Sequence, residues 1–130
     1  MAGAPVVSII DDDQSFRESV VDLVRAMGFE AQEFERAEDF LHSGGTARTA
    51  CLITDMRMPG MSGLELHERL TARNEAIPTI VITAFPKDDD RARAQRNGVI
   101  CYLAKPFDHN QLSDCITSAL EKSQVGRRTS

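Results

Sequence analysis

The stretch that decides the fold is Cys51-Leu52-Ile53-Thr54-Asp55-Met56-Arg57-Met58-Pro59-Gly60-Met61-Ser62-Gly63. It opens on an apolar run, 51–54, that shows no polar alternation. It then meets an acid at Asp55, crosses a turn containing Pro59 and Gly60, and reaches Ser62. Ser62 stands in capping-box spacing to Glu65, which marks the start of a helix. An unbroken apolar run suits a parallel strand covered by helices on both faces. The unit reads as strand, loop and helix, with a carboxylate at the strand's carboxyl end.

The same unit repeats outward in both directions. Apolar runs at 6–10, 79–83 and 101–104 match it, and 31–34 is a weaker version. Phe16, Val20, Leu23, Val24 and Met27 recur with helical period, and Gly28 follows as a C-terminal stop. Leu112, Cys115, Ile116, Ala119 and Leu120 form a second such stripe, preceded by Asp108 and Gln111 in capping spacing. A short helix is expected over 37–43, ended by Gly44-Gly45. The segment 86–97 offers only Ala92 and Ala94 to a core, so a helix there buries little and is expected to be held loosely. Strict alternation of strands and helices predicts an α/β fold: a five-stranded parallel sheet, doubly wound as (βα)5. The domain is expected to span 1–123, with a polar tail over 124–130 that frays.

Bulk properties narrow the function. The chain has 130 residues, 42% apolar and 27% charged, an ordinary mixture for one globular domain. Its net charge of -5 disfavours direct binding of nucleic acid. No apolar run is long enough to cross a bilayer, and residues 1–7 do not read as a signal peptide. Cys51, Cys101 and Cys115 are odd in number and far apart, each inside an apolar pattern. They read as small buried hydrophobes in a reducing cytoplasm, with no disulfide or zinc site signalled.

In open parallel sheets, ligands gather at the carboxyl ends of the strands. Those ends carry Asp11-Asp12-Asp13, Asp55, Thr83 and Lys105-Pro106. Two carboxylates about 4 Å apart repel by roughly 4 kcal/mol at an effective dielectric near 20. Clustered acids therefore take up protons more readily or recruit a cation. Oxygen-only ligands suit magnesium, with manganese as an alternative, and nothing offers zinc its sulfur and imidazole. A carboxylate is a competent nucleophile toward phosphorus, and a lysine with a hydroxyl would hold the transferring oxygens. Each residue alone has a plainer reading. Asp13 is a natural N-cap, Asp11 and Asp12 could be solvated loop acids, Thr83 an ordinary strand residue, and Lys105 a surface charge. Asp88-Asp89-Asp90 reads as solvated acids at a helix start. His42, His67 and His109 are isolated and give no metal or phosphohistidine signal.

Taken in order, Ile9-Ile10-Asp11-Asp12-Asp13, the block 54–63, Val81-Ile82-Thr83-Ala84 and Lys105-Pro106-Phe107 resemble bacterial response-regulator receiver domains. The likeness covers roughly 5–123 and is FixJ-like within the CheY-like superfamily. The resemblance implies that Asp55 accepts the phosphoryl group from a sensor histidine kinase. It implies a magnesium pocket of Asp11, Asp12, Asp55 and the main-chain carbonyl of Arg57. Lys105 would pair with the phosphoryl oxygen, with amides near Met56 and Ala84 beside it. Thr83 and Tyr102 would be the switch pair, acting on the surface of the fourth helix, fifth strand and fifth helix. A cis bond before Pro106, dimerisation on phosphorylation and control of a downstream output are further implications. Phe85-Pro86 departs from the small or polar loop common among relatives, which bears on the phosphate's lifetime. A phosphatase or phosphotransferase acting through an aspartyl-phosphate is the competing reading, but such chemistry favours an acid at position 57, where Arg57 stands. A pseudo-receiver would have a degraded motif, and none of the parts is missing here.

Overall fold

The computed structural model describes residues 4–129, with side chains described through residue 123. Five strands form one parallel sheet: β1 (Val6–Ile10), β2 (Glu30–Phe34), β3 (Thr49–Asp55), β4 (Thr79–Thr83) and β5 (Cys101–Ala104), in the order β2-β1-β3-β4-β5. Between and after them run α1 (Gln14–Ala26), α2 (Ala37–His42), α3 (Gly63–Ala72), α4 (Asp88–Arg96) and α5 (His109–Thr129). The doubly wound α/β expectation therefore holds. Strand order reverses between β1 and β3, and this reversal opens a crevice at their carboxyl ends.

Local chemistry explains the boundaries. Asp13 caps α1 by accepting from the Phe16 N–H at 3.1 Å. Ser62 and Glu65 form the expected capping box on α3, with both bonds at 3.1 Å. Asp108 and Gln111 exchange a similar pair, 3.2 and 2.8 Å, at the entry to α5. The central strands β3 and β4 are buried along their whole length, whereas edge strand β2 is not. Val20, Val24, Leu112 and Ile116 cover one face of the sheet, while Phe40, Leu66 and Leu70 cover part of the other. Helix α5 continues to Thr129, into the segment 124–130 expected to fray; Ser130 and residues 1–3 lie outside the described residues. Among the described residues, no helix is long and apolar enough to cross a membrane.

One expectation is corrected and another gains detail. First, Cys101 and Cys115 are not separate thiols: a disulfide joins β5 to α5, with the Cα atoms 6.2 Å apart. Their spacing carried no local signal, because the pairing arises only when α5 packs back across β5. Cys51 alone remains a free thiol, while Cys51 and Cys115 are both buried in the apolar core.

Second, the sparse packing expected of α4 is seen: only Ala94 is buried on it, as its composition dictates. Polar bonds that the sequence did not reveal link it to α3. Arg93 makes a two-pronged pair with Glu68 of α3, at 2.8 and 2.6 Å, and the Asn97 side-chain amide adds a 2.6 Å bond to the same carboxylate. Below them, buried His67 donates from Nε2 to the Asn97 carbonyl at 2.9 Å, and its Nδ1 lies 3.0 Å from the Thr79 hydroxyl. The Arg93 guanidinium holds Glu68 below the usual carboxylate range. Both partners of the pair are about a third exposed, so solvent limits its worth. Glu68→Ala is expected to cost about 1 kcal/mol or less in urea unfolding. It should nevertheless raise amide hydrogen exchange selectively over 88–97, because that carboxylate is the principal tie between α4 and α3.

Candidate acceptor site

The site is assembled by strand ends. β1 delivers Asp11 and Asp12, β3 delivers Asp55, β4 delivers Thr83, and the loop after β5 delivers Lys105. Asp11, Asp12 and Asp55 each offer a carboxylate oxygen, and these lie within 4.8 Å of one another. Lys105 Nζ lies 3.2 Å from Asp11 Oδ2 and 3.9 Å from Asp55 Oδ2, so one ammonium serves both acids. The Lys105–Pro106 bond is cis, as the resemblance implied.

Burial sets the charge balance. Asp11 is 2% exposed and Asp55 9%, while Asp12 faces solvent. Burial raises the Asp11 carboxyl above its ordinary range, opposed by the Asp13 N–H at 2.9 Å and by Lys105. Burial, reinforced by the Asp11 charge, pushes Asp55 from 3.8 up to about 6 against Lys105 and the Arg57 N–H. Three acids facing one lysine leave an excess of negative charge. An all-oxygen donor set of this spacing fits a hard divalent cation such as magnesium.

The surroundings include residues that the sequence did not single out. The Phe16 ring lies under the Lys105 ammonium, with Nζ 4.0 Å from its centroid. Phe107 braces that ring edge-on at 5.8 Å. Arg17 donates to the Asp11 carbonyl at 2.7 Å and to Glu33 at 2.9 Å, tying the acid loop to β2. Phe16 read as core periodicity, and nothing in the local sequence singled out Arg17. Gly63 is a further constraint: a Cβ there would come within 2.5 Å of the Asp55 carbonyl oxygen. Glycine allows α3 to begin directly beneath the loop that follows Asp55.

Thr83 and Tyr102 stand on neighbouring strands, β4 and β5. The Thr83 hydroxyl is buried and accepts from the Phe85 N–H at 3.1 Å. The Tyr102 hydroxyl accepts from the Lys87 N–H at 3.4 Å, and Arg91 lies 4.9 Å above its ring. Phe85 is 68% exposed. Met56, Arg57, Met58, Ser62, Lys87 and Asp90 line a shallow depression of about 400 Å³. A separate pocket of about 700 Å³ includes Thr49, His67 and Asn97 in its lining but none of the clustered acids.

Residues 7–117 match the sequence profile of the response regulator receiver domain. The chain belongs to the response-regulator receiver family. Nodulation protein W of Bradyrhizobium diazoefficiens is 35% identical to it over 122 residues, 94% of this chain and 54% of that protein. Transcriptional regulatory protein FixJ of Azorhizobium caulinodans is 35% identical over 123 residues, 94% and 58%. This receiver therefore spans about half the length of the curated relatives it matches. Among solved structures, response regulator StyR is 41% identical with a TM-score of 0.90, covering 98% of this chain and 64% of that one. The FixJ-N structure is 32% identical with a TM-score of 0.82, covering 92% and 96%. As a receiver, the domain is a phosphoacceptor module of two-component signalling and not a conventional enzyme.

The raised Asp55 group has a consequence for stability. The folded receiver holds that proton more tightly than the unfolded chain does. Ionising Asp55 therefore opposes folding, with no effect below about pH 4 and full effect above about pH 6. In metal-free buffer at pH 7.5 (about neutral), Asp55→Asn is expected to stabilise the domain by about 2–3 kcal/mol. The gain should vanish near pH 4 and shrink with added magnesium, as read by urea denaturation.

Proposed function

We propose that Asp55 is the phosphoryl acceptor of this receiver, charged by the phosphohistidine of a sensor histidine kinase. The observation that carries this reading is one lysine reaching two buried carboxylates, Asp11 at 3.2 Å and Asp55 at 3.9 Å, beside a third acid. In the proposed step, an Asp55 carboxylate oxygen attacks phosphorus and the bond to the donor nitrogen breaks. Lys105 neutralises charge on a phosphoryl oxygen, and the Thr83 hydroxyl turns from the Phe85 N–H to donate to another. Asp11, Asp12, Asp55 and the Arg57 main-chain carbonyl would hold magnesium, or manganese. When bound, such an ion supplies positive charge to the transferring oxygens. The domain catalyses its own phosphorylation and its own hydrolysis back to the free acid.

The output follows from movement at Thr83. Its withdrawal from the loop frees space for Tyr102 to turn inward, which alters the surface of α4, β5 and α5. That surface controls a downstream output, and transcription is favoured because relatives such as FixJ and TdiR are named transcriptional regulatory proteins. Phosphorylation is proposed to promote homodimerisation through the same face. The acidic domain does not itself bind nucleic acid or membrane, and it works in the cytoplasm. The receiver unit is proposed to be 1–123, with 124–130 as the tail following it.

Acetyl phosphate with magnesium should add the mass of one phosphoryl group to the intact chain, and Asp55→Ala should abolish the addition. Modification persisting in that variant would overturn the assignment. Phe16→Leu keeps apolar bulk while removing the ring face beneath Lys105. An ammonium–ring contact contributes about 0.5–2 kcal/mol, so this variant is expected to slow phosphorylation several-fold in the same assay, with Phe16→Tyr restoring it.

A further inference from the structure

We propose that Cys101 and Cys115 are a reversible thiol–disulfide modification site, oxidised by a low-molecular-weight disulfide, whose closure restrains the segment that carries Tyr102 and Lys105. The chemistry of the site stands independently, while the functional consequence rests on the roles proposed above for those two residues.

Three observations support it. The first is backbone placement. Cys101 opens β5 and Cys115 lies on the buried side of α5, with Cα atoms 6.2 Å apart, inside the range that disulfides accept without moving the chain. The second is what the bridge encloses. The cysteines are separated by 14 positions, and the span between them holds Tyr102, Lys105, the cis Pro106 and Phe107. Cys101 packs with the α1 and α5 side of the sheet and Tyr102 with the α4 side. Closure therefore ties β5 to α5 without occupying the space in which Tyr102 would turn. The third is the absence of a competing thiol: Cys51 is fully buried and burial pushes its thiol up to about 12, so it neither attacks nor exchanges.

The exchange balances. Cys101 is the less buried of the two residues and is therefore assigned as the sulfur that an outside reagent attacks first. Its thiolate attacks one sulfur of the small disulfide, forming a mixed disulfide and releasing one small thiol. The Cys115 thiolate then attacks Cys101 sulfur and expels the second small thiol. The two protein sulfurs lose two electrons in all, the reagent gains them, and the two thiol protons pass to the released thiols. Excess small thiol reverses both steps.

The test equilibrates the native full chain with glutathione mixtures of graded poise, traps thiols by alkylation, and maps peptides by mass spectrometry. Two alkylation sites should disappear together, with a linked Cys101–Cys115 peptide appearing and Cys51 unmodified throughout. Cys101→Ser or Cys115→Ser should abolish the link, and Cys51→Ala should leave it unchanged. Persistent single glutathione adducts without the link, or a link that excess native-state reductant never opens, would overturn reversible modification. Amide exchange over 101–115 then reads the consequence. Acetyl phosphate should change exchange there in the reduced protein and change it at least about threefold less in the oxidised one. Equal responses would overturn the restraint. The linked peptide should also form in Asp55→Ala, so failure of the acceptor assignment and failure of this site give different results.

Discussion

Everything at the functional end of this domain depends on carboxylates held close together where water is scarce. The strand order makes this unavoidable. β1 and β3 are neighbours, β1 runs directly into Asp11 while β3 ends in Asp55, and the chain reverses its winding between them. The fold thus stores mutual repulsion at one rim and offsets part of it with Lys105. A group that brings more negative charge to such a rim must be met by compensating positive charge, so the resting electrostatics already define which ligands are tolerated.

The supporting structure is built to keep that arrangement from relaxing. Arg17 fixes the Asp11 main chain, Phe16 lies under the lysine, and Gly63 lets α3 approach the Asp55 carbonyl closely. Of these contacts, only that of Phe16 touches a group of the proposed chemistry, the Lys105 ammonium. Their combined effect is to remove the easiest ways for like charges to move apart, and rigid dipoles and charges of this kind need no reorganisation when a reaction begins.

The sequence made the strand-end chemistry legible because its signals are local. Unbroken apolar runs end in Asp11, Asp55 and Thr83, and caps at Asp13, Ser62 and Asp108 mark where helices begin. The misses share a different cause. Glu68 with Arg93 and Cys101 with Cys115 are partnerships created by packing between elements, across 25 and 14 positions. Local composition correctly gave α4 almost no apolar face, yet it could not reveal the polar bonds that link α4 to α3. Phe16 was visible only as one more apolar residue in a helical stripe, because its role depends on where the β5–α5 loop returns.

The position of Asp55 on a rim, away from the 700 Å³ cavity, bears on how specificity can arise. A pocket selects a small molecule by enclosing it, and chemistry inside is shielded by walls. A rim encloses little of its reaction partner. Under the proposed transfer to Asp55 from a protein donor, recognition would be spread over the surrounding surface, and fidelity would be a property of how two macromolecular surfaces fit, while the reacting groups themselves remain generic.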